Sequence, residues 1–222
     1  MAAPSGGFPL PLFTRRQFAA TALIAGLFAA APAFAQDEGP SEVPMDQLMA
    51  SGPIPDRALG SEDAPVTIVE YASMSCSHCA DFHNETYPKL KEQYIDTGKV
   101  RFVFREFPID AAAFAIAMTA RCAPEDRYFD IIDLFFEHQL DWIRAEDHYG
   151  AILDLAKQAG FSEESFEACL QKQELFDGLS ARRDKASKEF GVHGTPTFFI
   201  NGEKLVGARS FDEIKAKIEA AL

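Results

Sequence analysis

The chain has 222 residues, 47% hydrophobic and 25% charged, which supports a full apolar core and excludes a disordered or fibrous protein. A net charge of −13 and a pI near 4.8 repel phosphate backbones and anionic lipid, so no nucleic-acid partner is expected. Four cysteines leave disulfide, metal and redox chemistry open, and the cellular compartment decides among them.

In chain order, Arg15 and Arg16 precede an uncharged run from Phe18 to Ala31 that meets Ala33-Phe34-Ala35. Residues 1–35 read as an export signal cleaved before Gln36, because the run is shorter than the roughly 20 apolar residues that span a bilayer. Thr14-Arg15-Arg16-Gln17-Phe18 also resembles a twin-arginine export signal. Cleavage removes two arginines and no acid, taking the net charge from −13 to −15. In the periplasm thus implied, cysteines can form and exchange disulfides.

Residues 36–60 are rich in Asp, Glu, Pro, Gly and Ser and read as a lead-in rather than a domain. Val66–Tyr71 and Val100–Phe107 are β-branched and aromatic runs separated by a helical stretch over residues 76–95, a βαβ pattern with a parallel pair. From 111 to 190 the signals are helical, punctuated at Pro124, Gly150, Gly160 and Ser162. Thr197–Ile200, the turn pair Asn201-Gly202 and Lys204–Val206 form a hairpin. Ser210 and Glu213 have capping-box spacing for a final helix, with Phe211, Ile214, Ile218 and Leu222 on one side.

The chemistry concentrates at Cys76-Ser77-His78-Cys79. Two cysteines three apart at a helix start can close a reversible disulfide. The unpaired N–H groups and dipole there favour a Cys76 thiolate, and a protonated His78 would add to that. Stabilising the reduced thiolate makes the disulfide more oxidising. Glu70, six residues earlier on the incoming strand, is a candidate to exchange protons with a buried Cys79; Arg105 on the next strand is the candidate partner for Glu70. The pair could instead be half a metal site, although no second CxxC exists and Cys122 and Cys169 are far apart in sequence.

Together with Gly194-Thr195-Pro196-Thr197-Phe198-Phe199-Ile200-Asn201-Gly202, the CxxC motif makes residues 54–222 resemble the DsbA-like branch of the thioredoxin superfamily. The resemblance implies an α/β thioredoxin fold whose βαβ half (61–110) and ββα half (191–222) are separated by an inserted helical domain (111–190). It implies that Pro196 is the cis proline facing the cysteines, that the Thr195 backbone pairs with an extended substrate, and that Glu70 supports proton transfer. It further implies a periplasmic monomer that oxidises newly exported, cysteine-containing proteins, is reoxidised by a DsbB-like membrane partner and needs no cofactor. Ser77 stands where the best-known members have proline, and Thr195 also precedes the cis proline of isomerases and reductases. An isomerase or reductase thus remains the alternative, with a periplasmic metal-binding protein behind it.

Cys122 and Cys169 both fall in the helical block. Export favours a bond between them, and some alphaproteobacterial DsbA proteins carry a comparable second disulfide; two separate buried thiols are the other reading. His193 is expected to make a local hydrogen bond in its loop, and His83, His138 and His148 are given no role. Phe102, Phe104, Phe107, Phe135, Phe136, Phe198, Phe199 and Trp142 are expected in the core.

Overall fold

The computed structural model describes residues 39–222; the expected export segment, residues 1–35, lies outside them. Two seven-residue strands, β2 (Val66–Ala72) and β3 (Val100–Glu106), form the centre of the sheet. They pair in parallel from Val66↔Val100 to Ala72↔Glu106. Helices cover both faces, which is why the strands read as nearly continuous apolar runs instead of alternating ones. The hairpin follows on the other side of β2: β4 (Thr197–Ile200) pairs antiparallel with it, and β5 (Glu203–Val206) pairs with β4. Asn201 and Gly202 both take positive φ, 47° and 95°, the backbone that a two-residue hairpin with native twist requires.

The lead-in contributes more than its composition suggests. Arg57–Leu59 forms β1, antiparallel on the outer edge of β3, giving the order β1-β3-β2-β4-β5. Upstream, the short helix α1 (Met45–Leu48) buries Leu48. With Val43, Val69, Tyr71, Val103 and Phe199, Leu48 forms the core on one face of the sheet. The other face, from Ile68, Phe102, Phe104 and Phe198, packs into the main core.

The helical stretch after β2 runs from Ser77 to Ile95 as α2 (Ser77–Asp81), a π segment (Phe82–Thr86), α3 (Tyr87–Leu90) and a second π segment (Lys91–Ile95). Pro88 cannot donate a backbone hydrogen bond and its ring crowds the preceding turn, so the widened register just before it lets the helix continue.

The helical block comprises α4 (Ala111–Cys122), α5 (Tyr128–Glu137), α6 (Gln139–Ile143), α7 (His148–Gln158), α8 (Glu163–Leu170) and α9 (Gln173–Phe190). The Asp110 side chain caps α4 by accepting from Ala113 N–H at 2.8 Å. Cys122 at the end of α4 is joined to Cys169 in α8 by a disulfide. The eight aromatic residues expected in the core are all buried, and the Trp142 indole donates to the Phe135 carbonyl at 3.0 Å. The last helix, α10 (Phe211–Ala221), starts with the Ser210–Glu213 capping box and buries Ile214 and Ile218. Leu222 instead lies one residue past that helix and is 55% exposed. Among the described residues no helix is long and apolar enough to cross a membrane.

A buried ion network ties lead-in, sheet and helical block together. Glu106 accepts from Arg121 at 2.5 and 2.9 Å, from Arg182 at 2.8 Å and from the Tyr128 hydroxyl at 2.6 Å. Arg182 also reaches Asp56 at 3.0 Å, which binds Arg105 at 2.9 and 2.7 Å. Burial alone would push the Glu106 carboxyl up, but the two guanidiniums hold it at about 2. Glu106→Gln leaves these cations buried without their counter-charge and is expected to lower unfolding free energy by roughly 3–5 kcal/mol, measured by urea titration at neutral pH. The Cys122–Cys169 bond closes a separation of 47 residues. Replacing both cysteines with alanine should cost up to about 4 kcal/mol in the chain-entropy account while leaving the exchange rate at Cys76 unchanged.

Candidate active site

The loop after β2 delivers Cys76 to the cap position of α2, with extended backbone at φ −82° and ψ 120°. Its carbonyl accepts from the N–H groups of Cys79 and Ala80, both at 3.1 Å. Gln139 of α6 clamps this loop: its side-chain amide donates to the carbonyls of Met74 at 2.7 Å and Cys76 at 3.0 Å. The thiol of Cys76 is half-buried and lies 3.2 Å from the Thr195 carbonyl. Thr195–Pro196 is a cis peptide bond, so the two motifs, more than 100 residues apart in sequence, meet at the sulfur. Cys79, within the first turn of α2, is fully buried, and both cysteines are free thiols.

The two sulfurs titrate in opposite directions. Hydrogen bonding from the Cys79 thiol is the largest influence on Cys76; burial opposes it, while the Thr195 side chain and the N–H groups of Cys79 and His78 add to it, bringing Cys76 down to about 5. The Thr195 carbonyl favours the thiol form because it can only accept, and the donors outweigh it. For Cys79, burial and the neighbouring Cys76 and Glu70 charges all push the thiol well above its ordinary value.

Ser77 and His78 are exposed on the first turn. The His78 ring turns toward Asp81, Nδ1 to Oδ2 3.7 Å, with 67% of its side chain in solvent. Its support for the Cys76 thiolate therefore comes from its backbone N–H rather than from the imidazolium expected from sequence.

Glu70 is fully buried, and its partner is not Arg105. In the parallel register Glu70 lies opposite Phe104, whereas Arg105 lies opposite Tyr71, so the arginine projects from the other face of the sheet. There it binds Asp56 and donates to the Tyr71 hydroxyl at 2.7 Å. Glu70 Oε2 instead meets His83 Nε2 at 2.9 Å, a histidine to which sequence reasoning gave no role. A signal was available: His83 follows Cys79 by four residues on the same helical stretch, which places both on its buried side. Burial raises the Glu70 pKa and His83 pulls it partly back. Burial disfavours the His83 cation, but Glu70 and Asp133 outweigh this and push it up to about 9. His193 makes the local contact expected of it, 3.4 Å to the Ser187 hydroxyl.

A half-exposed, acidified cysteine at a helix start, a buried partner and a facing cis proline define a thioredoxin-fold thiol–disulfide site. The thioredoxin family model matches residues 54–220, and the chain belongs to that family. A putative protein-disulfide oxidoreductase of Rickettsia bellii is 31% identical over 168 residues, 75% of this chain and 64% of that protein. The chain thus spans somewhat under two thirds of the length of this relative. Disulfide bond formation protein D of Bacillus subtilis is 29% identical over 74% of this chain and 76% of its own length. Among solved structures, alpha-DsbA1 of Wolbachia pipientis superposes with a TM-score of 0.72 at 29% identity, covering 79% of this chain and 94% of that one.

The lowered Cys76 pKa has a consequence for stability. A thiol whose folded pKa lies near 5, against about 8.5 unfolded, stabilises the folded dithiol above the unfolded value, and this contribution is lost as pH falls through 5. The disulfide form has no such group. Urea titrations should find the dithiol form the more stable at pH 8, with the difference shrinking steadily toward pH 4. An equal gap at both pH values would show that Cys76 is not acidified.

Proposed function

We propose that this chain is a periplasmic thiol:disulfide oxidoreductase that donates the Cys76–Cys79 disulfide to exported proteins. The observation that carries this reading is the geometry of the pair: Cys76 half-buried at the cap of α2 and 3.2 Å from the Thr195 carbonyl beside the cis Pro196, with Cys79 fully buried behind it. A stabilised Cys76 thiolate is a good leaving group and favours the reduced form, so the disulfide is a strong oxidant. The names of the relatives and of the superposed structure support the same chemistry.

In the proposed cycle a substrate thiolate attacks Cys76, and the Cys76–Cys79 bond breaks with Cys79 leaving. A second substrate thiolate displaces Cys76 and completes the substrate disulfide. Glu70 returns the proton that Cys79 needs to become a buried thiol. The Thr195 carbonyl lies 3.2 Å from the Cys76 sulfur in the free-thiol form; in the disulfide form Cys76 has no S–H to donate, so this carbonyl can pair with the backbone of an incoming substrate beside Pro196. Ser77 and His78 supply exposed surface, and in the case of His78 a backbone N–H, at the first turn. Residues 1–35 act as the export signal, the Cys122–Cys169 bond is structural, and a DsbB-like membrane protein reoxidises the monomer.

The test is the equilibrium of the purified protein with a glutathione redox buffer, with Cys79→Ser as control. A potential above about −180 mV is expected of a disulfide donor. A potential near the roughly −270 mV of thioredoxin would assign the site to a reductase instead.

A further inference from the structure

Beneath the cysteines, three buried polar atoms lack hydrogen-bond partners: Glu70 Oε1, His83 Nδ1 and the Tyr87 hydroxyl. Leaving such an atom unsatisfied is unfavourable, and these three cluster around one ring: His83 touches Glu70 at 2.9 Å, and its centroid lies 4.9 Å from that of Tyr87. The ring has two unlike edges. Nε2 faces Glu70 in the interior, whereas Nδ1 faces Asp133 of α5, with 3.8 Å to Oδ1 and 48% of that side chain in solvent. His83, Tyr87, Lys91, Asp133 and Glu137 line an open cavity of about 450 Å³, and a water entering it can bridge the longer gap. The ring's other neighbours are apolar: Phe102 and Phe104 from β3, and Phe136 from α5 stacked at 4.3 Å. The charged groups facing His83 are thus Glu70 from β2 and Asp133 from α5, and its own helix adds the Tyr87 hydroxyl.

We propose that His83 is a proton-relay residue that connects Glu70, and through it Cys79, to solvent at the Asp133 cavity. This deepens the oxidoreductase reading and rests on it. When the Cys76–Cys79 bond breaks, the electron pair leaves on Cys79. The proton shared by Glu70 and His83 passes through Glu70 to that sulfur, and the pair is recharged with one proton from the cavity side of His83. Over the whole exchange the substrate dithiol loses two electrons and two protons and gains a disulfide bond. One proton ends on Cys79 and the other remains in solvent, since Cys76 stays a thiolate. Reoxidation runs the relay outward and returns both ring nitrogens to their starting state.

The relay is read in the step that needs Cys79 to lose its proton: release of a reporter thiol from a Cys76 mixed disulfide by attack of Cys79, followed by stopped flow from pH 5 to 9. His83→Gln, in the full chain, should slow this step at least tenfold and flatten its pH profile while alkylation of Cys76 by iodoacetamide proceeds at the unaltered rate. Asp133→Asn, at a half-exposed position, should slow it about threefold or more with no change in thermal midpoint, and it decides the matter if His83→Gln does not fold. Unchanged release in the folded variants, or equal slowing of release and alkylation, overturns the relay. Failure of the unmodified protein to release the reporter at all would overturn the oxidoreductase reading itself.

Discussion

The centre of the site is positioned by β2. Because it is hydrogen-bonded to β3 on one side and β4 on the other, it cannot slide without reversing which side chains face which layer. That register sets Glu70 against the main core, and the loop that leaves β2 at Ala72 places Cys76 at the head of the Ser77–Ile95 helical stretch. β4 then carries Pro196 back alongside the same strand end, so the contact between Cys76 and the Thr195 carbonyl follows from sheet pairing rather than from local sequence. Gln139 completes the arrangement by holding two loop carbonyls from the helical block.

The protein buries two glutamates on the same face of this sheet, and it treats them oppositely. Glu106 is met by two guanidiniums and a phenol, and its pKa falls to about 2. Glu70 is met only by an imidazole, with one oxygen left without a partner, and its pKa rises. The number of desolvated positive charges within reach decides the sign. A carboxylate over-matched by arginines is locked in one charge state and can serve only as a tie between elements. One matched by a group that itself titrates keeps a proton within exchange, which is what the proposed chemistry at Cys79 requires.

Much of this was legible in the sequence, for identifiable reasons. The strands β2, β3 and β4, the Asn201-Gly202 turn and the Ser210–Glu213 cap follow from period, β-branching and turn chemistry, which act over a few residues. Cys76 and Cys79 follow from the fixed local spacing of their motif, and Pro196 from the family resemblance that the Gly194–Gly202 segment carries. β1 escaped because three residues beside Pro55 carry too little pattern, and its pairing with β3 is a tertiary fact. Arg105 was misassigned to Glu70 because adjacency of strands says nothing about face until the register is known; a shift of one residue between Phe104 and Arg105 reverses the answer. His83 escaped because its importance lies in what it touches across the helix–sheet interface, although its spacing of four from Cys79 was already in the chain.

The arrangement also reconciles two demands that conflict at a single thiol pair. Exchange needs one sulfur accessible and anionic, whereas directionality needs the other withdrawn from solvent so that it remains a thiol. Withdrawal creates a difficulty: a buried sulfur must still gain and lose a proton in each cycle, and the apolar walls of Phe102, Phe104 and Phe136 conduct none. One helical stretch resolves this through its periodicity. It presents Cys76 at its exposed end, Cys79 within its first turn on the buried side, and His83 four residues further along that side, bordering a water-accessible cavity. In the proposed relay, thiol exchange and proton transfer are separated along a few turns of helix, so sealing one from solvent does not close the other.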